Sequence, residues 1–240
     1  MTRPEPDAAP IATALRARGI EPVSAPLLRI EPEPAGAARL SGALIGVQAV
    51  LFTSANGARA FARASNRFEL PAFCVGEATA AAARIAGFRT VASADGDGAD
   101  LAALAGSRLA PGNGALLHAA GADSAGDLAA ELAAKGFSVR RVVLYRAIAA
   151  DALPPGAEAA WRRGEFALAL FFSPRTAASF VSVARAAGLA KPCERMTALA
   201  LSRNVAAALS ELPWRAIVTA SAPNLAAMLT ALDEIGSPSA

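Results

Sequence analysis

The chain has 240 residues, 54% of them hydrophobic, which is enough for one large core or for two of ordinary domain size. Its formal net charge is only +3 and its basic residues are scattered, which argues against a nucleic-acid surface while leaving room for an anionic ligand. Cys74 and Cys193 stand alone, without a CxxC or a Cys/His cluster, so a disulfide framework and a zinc site are excluded and both are expected to be buried thiols.

In chain order, Met1 to Asp7 carries neither the apolar stretch of a secretory signal nor the pattern of a transit peptide, and a cytoplasmic location is expected. A first helix should stop at Gly19. Pro26 to Ile30 reads as a strand, followed by a Pro/Gly/Ala-rich connection from Glu31 to Ala38. Ala49 to Phe52 is a second strand, turning into a helix capped near Thr53 or Ser54. Phe73 to Val75 runs through Gly76 into a helix that contains Thr79 and stops at Gly87. His118, the sole histidine, falls near a strand end without a nucleophile partner, and a structural role is expected. Another helix stops at Gly136, and Val142 to Ile148 reads as a strand leading to a connection from Asp151 to Gly156. Phe166 to Phe172 is continuously apolar, as in a parallel strand covered on both faces. It is far short of the roughly 18 residues that cross a bilayer. Ser173 then caps a helix with Pro174 in its first position, and Ser202-Arg203-Asn204 occupies another helix start.

The chain repeats itself once. The run Leu51 to Phe61 is echoed by Phe171 to Phe180, Val75 to Ala82 by Leu201 to Ala208, Leu15 to Val23 by Leu132 to Val139, and Asp100 to Leu104 by Asn224 to Met228. The order is kept and the offsets stay between 117 and 126 residues. Self-similarity of this kind points to duplication of one α/β unit. The expected fold is α/β, with two similar doubly wound, flavodoxin-like parallel-sheet lobes joined by a two-stranded linker. One lobe takes residues 1–26 plus 149–240, the other 33–141, with 27–32 and 142–148 as the connecting strands.

In doubly wound sheets, ligands collect where strand ends meet helix N-termini, which offer free N–H groups and a positive dipole end. Thr53-Ser54-Ala55-Asn56, Gly76-Glu77-Ala78-Thr79, Ser173-Pro174-Arg175-Thr176 and Ser202-Arg203-Asn204 occupy that position. Each is individually no more than a cap, but four facing one cleft would suit a flexible polyanion. No HExxH, Walker A, GxGxxG or GxSxG is present, so metal, nucleotide and serine-hydrolase chemistry lack their machinery. A reaction without metal or cofactor is expected.

These residues resemble the uroporphyrinogen-III synthase family. The resemblance covers essentially the whole chain, through Thr2-Arg3-Pro4, Phe52 to Gly57, Val75 to Ala80, Val143 to Ala147, Phe171 to Pro174 and Ala222-Pro223. It implies that hydroxymethylbilane, a linear tetrapyrrole with an acetate and a propionate on each ring, is closed with inversion of its last ring. It implies that Tyr145, the sole tyrosine, assists departure of the terminal hydroxyl. Substrate carboxylates would be held by Thr53, Ser54, Asn56, Gly76, Thr79, Ser173 and Ser202, with Arg3 and Arg175 adding charge-assisted bonds. It further implies a monomer without nucleic-acid or membrane partners, in at most transient contact with hydroxymethylbilane synthase.

Two positions depart from the family pattern. Relatives place a central strand before Thr-Arg-Pro, whereas only Met1 precedes Thr2 here. Lower stability than a longer form, or a compensated sheet edge, is expected. Ser202, Asn204 and Val205 stand where many relatives carry Gly and Thr, which weakens the expectation of hydroxyl contacts at that turn. The alternatives are a noncatalytic regulatory module on the same duplicated fold and a two-lobed binding protein for another small anion.

Overall fold

The computed structural model describes residues 1–3, 7–123 and 127–236, so Pro4 of the Thr2-Arg3-Pro4 signature lies outside the described residues. The chain divides into two units, Met1–Arg29 with Ile148–Ala240, and Ile30–Ala147. It begins with α1 (Ala9–Arg16), which buries Ile11 and Leu15. Then come β1 (Leu28–Pro32), α2 (Gly36–Ala43), β2 (Val47–Phe52), α3 (Ala55–Ala64), β3 (Ala72–Cys74), α4 (Glu77–Ala86), β4 (Val91–Ser93), α5 (Gly98–Arg108), β5 (Ala115–Gly121), α6 (Leu128–Ala134) and β6 (Val139–Ala149).

These six strands form one sheet in the order β1-β6-β5-β2-β3-β4. The β2–β3, β2–β5, β3–β4 and β5–β6 pairs are parallel. From β2 the chain builds outward through β3 to β4, then returns to the other side for β5 and β6. The direction of winding therefore switches between β2 and β5.

The inner strands β2, β3 and β5 are largely apolar because both faces of the sheet are covered there. Val50 and Phe52 of β2 pack with Phe61 of α3 and Ala80 and Ala83 of α4. Their neighbours Ala49 and Leu51 pack on the opposite face with Leu101 and Ala105 of α5 and Leu132 of α6. The polar exception in β2 is Gln48, whose amide donates to the carbonyls of Ala110 and Gly114 at 2.9 and 2.6 Å. Close packing of α3 on the sheet depends on Gly57, where an added Cβ would lie 2.7 Å from the Ala119 carbonyl oxygen.

In the other unit the chain continues with α7 (Pro155–Arg162), β7 (Leu168–Phe171), α8 (Pro174–Ala186), α9 (Ala190–Cys193), β8 (Thr197–Ala200), α10 (Arg203–Leu209), β9 (Ala216–Thr219) and α11 (Leu225–Gly236). The strands β7, β8 and β9 form a parallel sheet in that order. One face packs Phe171 against Trp161, Phe180 and Leu209; the other packs Leu170 and Leu199 against Ile11, Leu15, Met228 and Leu232. At its N-terminus, the Met1 amino group donates to the Val23 carbonyl at 2.8 Å. The Ala25 amide donates to the Met1 carbonyl at 2.8 Å, the parallel pairing of one residue with Ser24. An apolar cavity of about 80 Å³ lies alongside, with Leu15, Val23, Trp161, Leu168 and Phe180 in its wall. Burial lowers the amino-group pKa to about 6.

Several boundaries differ from the sequence reading: β1 runs Leu28–Pro32 and not Pro26 to Ile30, β2 begins at Val47 and not Ala49, and β3 ends at Cys74 and not Val75. The connection expected over Glu31 to Ala38 already contains the start of α2, where the Gly36 amide donates to the Glu33 carbonyl and closes a turn. The apolar run from Phe166 to Phe172 yields only the four residues of β7; Phe166, before the strand, packs its ring at a tilt against Trp161, 5.8 Å between centroids. β6 begins at Val139, three residues before the strand read from Val142. Both cysteines are free and buried, and burial raises their thiols to about 12 for Cys74 and about 11 for Cys193, so neither is a nucleophile at neutral pH.

Candidate functional site

Within residues 30–147 the polar groups gather at the carboxyl ends of β2, β5 and β6, on the switch in winding where open α/β sheets bind ligands. Ser54 adopts extended backbone before α3, and its hydroxyl accepts the Gly57 amide hydrogen at 3.1 Å. This N-cap satisfies one of the donors that a helix start leaves unpaired. The same oxygen lies 2.7 Å from the Tyr145 phenol oxygen. Tyr145 is 8% exposed and its ring joins the core that contains Phe52 and Leu117, so only its polar tip reaches the strand ends.

Gly121 makes this placement sterically possible. It pairs with Tyr145 across a register shift in β5 and β6. A Cβ there would fall 2.7 Å from the phenol Cζ and 2.9 Å from its oxygen. Next to Ser54, the Thr53 hydroxyl lies 3.1 Å from Nε2 of His118. His118 sits in the middle strand β5, level with Leu51 of β2, and is 5% exposed. Burial, with a smaller contribution from the positive charge of Arg141, lowers its pKa to about 4. It is therefore neutral at neutral pH, with one ring nitrogen as donor and the other as acceptor.

The other predicted residues of this unit sit nearby on the same sheet edge. The Arg59 guanidinium donates to Asn56 Oδ1 at 2.9 Å. Gly76 precedes α4, and no side chain caps this helix start. Thr79 is buried in its first turn. The pairing of Phe52 with Cys74 brings the Thr53-Ser54 and Gly76 turns to neighbouring strand ends.

The second unit offers a comparable pair of turns. Ser173 caps α8, accepting the Thr176 amide hydrogen at 3.1 Å, and its hydroxyl lies 2.8 Å from that of Thr176. Arg175 occupies the exposed first turn beside it. Ser202 caps α10 through a longer bond of 3.5 Å to the Val205 amide. The pairing of Phe171 with Ala200 places Ser173 and Ser202 on neighbouring strand ends. The Arg3 guanidinium carbon stands 5.0 Å from the Phe172 ring centroid, a cation–π distance.

The structure thus joins Ser54 to Tyr145, adds two residues to the sequence-derived set, and keeps Arg3, Ser173, Arg175 and Ser202 in a separate unit. The additions are His118 and Gly121. His118, read from the sequence as a structural residue near a strand end, instead stands in the middle of β5, and its partner Thr53 is 65 positions away. Gly121 acts through a missing side chain, which no motif records. Among the described residues no group of three His, Cys, Asp or Glu side chains could hold a metal ion, and no helix is long and apolar enough to cross a membrane.

The family model described as uroporphyrinogen-III synthase HemD matches residues 9–230. A uroporphyrinogen-III synthetase structure from Helicobacter pylori is 18% identical and aligns over 90% of this chain and 93% of its own, with a TM-score of 0.61. A mutant uroporphyrinogen III synthase from Thermus thermophilus is 21% identical over 94% and 92% of the two chains, with a TM-score of 0.54. At these identities the structural likeness establishes a shared fold. No curated protein matches the chain significantly in sequence.

Proposed function

The chain belongs to the uroporphyrinogen-III synthase family of tetrapyrrole biosynthesis, and we propose that it closes hydroxymethylbilane to uroporphyrinogen III with loss of water and inversion of ring D. The observation that carries the site assignment is the Tyr145 phenol, held 2.7 Å from the Ser54 hydroxyl at the switch in winding. Departure of the terminal hydroxyl is driven by the pyrrole nitrogen lone pair, so it needs a positioned proton donor and no cofactor. Tyr145 is that donor. The resulting azafulvenium is attacked from the substituted carbon of ring D, and the spiro intermediate reopens and recloses. Spontaneous closure uses the unsubstituted carbon, so catalysis consists largely of holding one near-attack geometry.

Substrate carboxylates supply the handles for that control. In this reading Thr53, Ser54, Asn56, Gly76 and Thr79 bind them in one unit, and Arg3, Ser173, Arg175 and Ser202 in the other. The capping serines accept helix amide hydrogens, and the hydroxyls of Ser54 and Ser173 also meet the Tyr145 and Thr176 hydroxyls, so each of these two pairs together has one hydrogen left to donate to a carboxylate. The uncapped start of α4 offers backbone N–H groups directly, with the helix dipole favouring anions.

We read the two units as products of duplication joined by the paired segments 27–32 and 142–148. The larger sheet runs β1-β6-β5-β2-β3-β4; with β1 set aside, a circular permutation that starts the count at β5 turns this into the flavodoxin order 2-1-3-4-5, and the flavodoxin-like reading rests on that permutation. Ser54 and Ser173 cap matching helices in this scheme. A cytoplasmic monomer in transient contact with hydroxymethylbilane synthase completes the proposal.

The test is a coupled assay in which hydroxymethylbilane is generated in situ and the oxidised uroporphyrin isomers are separated by chromatography. An excess of isomer III over the spontaneous isomer I supports the reading. Isomer I alone, in the presence of folded protein, refutes it.

A further inference from the structure

The contact between Ser54 and Tyr145 can run in either direction, and the two directions leave different hydrogens free. A serine hydroxyl has one hydrogen to give and two lone pairs to accept with. One lone pair of Ser54 is taken by the Gly57 amide, whose hydrogen cannot be redirected. Suppose the phenol donated to Ser54. Its only hydrogen would then be spent inside the protein, and Tyr145 would have none for a leaving group. With the reverse direction, Ser54 accepts from Gly57 and donates to the phenol oxygen, and the phenol hydrogen stays free.

We propose that Ser54 is a positioning residue for Tyr145, donating its hydroxyl hydrogen to the phenol oxygen so that the phenol's own hydrogen points to the departing hydroxyl, with Gly121 as the gap that lets the phenol reach it. This rests on the synthase reading and changes the role of Ser54 from a carboxylate contact to a support for the proton donor. The proton balance closes over the whole reaction, because the proton lost from the last ring as it regains aromaticity on closure returns to the phenolate. The phenol hydrogen passes to the leaving oxygen, which departs as water once the C–O bond breaks. The phenolate so formed keeps the Ser54 hydrogen bond, which is stronger to an ionised oxygen than to a neutral one. Ser54 also stands at the positive end of the ten-residue helix α3, which favours negative charge on its partner. Gly121 enters through sterics alone, because any side chain at that position would overlap the phenol ring and oxygen.

Ser54 is also a helix cap, so the test must separate the two roles. Ser54→Ala removes cap and donor together. Ser54→Asp keeps a good cap but is ionised and can only accept, drawing the phenol hydrogen away from the substrate. Ser54→Thr keeps both functions. The expected result is a fall in kcat of about 10-fold for Ser54→Ala and at least as much for Ser54→Asp, with KM changed less than threefold. Ser54→Thr recovers most of the loss. In a Tyr145→Phe background, Ser54→Ala adds almost nothing, as two residues acting in one unit require.

A second readout needs no turnover. Tyr145 is the sole tyrosine, so the tyrosine Fermi doublet in the Raman spectrum reports whether this one phenol accepts or donates a hydrogen bond. The wild type should show an accepting phenol, Ser54→Thr should keep that signature, and Ser54→Ala and Gly121→Ala should lose it. A donating signature in the wild type, or no change in folded Ser54→Ala, would overturn the assignment whatever the isomer assay shows. Full activity of Ser54→Asp would overturn it too. If the Raman result holds and no isomer III forms, the hydrogen-bond direction stands and the synthase reading fails.

Discussion

Acidification should weaken the unit of residues 30–147 through one imidazole. His118 is 5% exposed in the middle of β5, and its pKa is about 4 against an ordinary 6.5. Between those values the unfolded chain carries a proton on His118 that the folded chain does not take up, so stability falls as the pH falls through that window. Relative to pH 8, this single group costs about 2 kcal/mol at pH 5 and about 3 kcal/mol at pH 4. The comparison variant is His118→Gln, whose amide can still bond the Thr53 hydroxyl but does not titrate. Carboxylates also lose charge as the pH falls, but they do so equally in both proteins, so the difference isolates His118. Trp161 and Trp214 lie in the other unit, so tryptophan fluorescence would report the wrong region. Urea titrations read by amide protection in β5 report the right one. The wild type should lose about 2 kcal/mol more than His118→Gln between pH 8 and pH 5. Parallel pH profiles for the two proteins would refute the argument that burial holds this ring neutral.

Three further outcomes are expected. Tyr145→Phe slows formation of isomer III by about 10- to 100-fold without abolishing it, because the pyrrole nitrogen supplies most of the driving force; unchanged turnover would remove Tyr145 from the mechanism. Gly57→Ala forces α3 off the Ala119 carbonyl and should cost about 1 to 3 kcal/mol, read as a lower thermal midpoint, although alanine is otherwise the better helix former. Phe180→Ala opens the ring cluster with Trp161, Phe171 and Trp214. It should cost about 3 to 5 kcal/mol, with tryptophan fluorescence reporting the transition.

The elements were legible wherever pattern and punctuation agreed. The apolar run before Ser173-Pro174 marks a buried strand entering a capped helix, and the structure has both, with the strand shorter than the run. Glycine at the end of α4 adopts the left-handed conformation, with φ of 113°, as a stop signal should. The start of α2 was hidden because Gly36 and its alanine neighbours read as a loop. At the site, Ser54 and Tyr145 could each be named, but nothing local relates positions 91 residues apart. Their meeting depends on the parallel registers of β2, β5 and β6 and on a bulge that sets Gly121 opposite the phenol. Registers of this kind are set by packing across the whole sheet, which a linear motif does not encode.

The division of the chain has a consequence for how the protein is made. One unit is a continuous stretch from Ile30 to Ala147, while the other needs both ends of the chain. During synthesis the continuous unit can finish its sheet, β1 included, while the segment before β1 still has nothing to join. The apolar face of α1, with Ile11 and Leu15, must wait for its partners Met228 and Leu232, and the Thr2 hydroxyl must wait for the Leu170 carbonyl it donates to, 168 positions later. Closing so long a loop is slow compared with local folding. The nascent chain therefore passes through a stage with one finished unit and one exposed amphipathic helix, and a ribosome that stalls beyond Ala147 releases a half-folded molecule with that greasy face still open to chaperones and proteases.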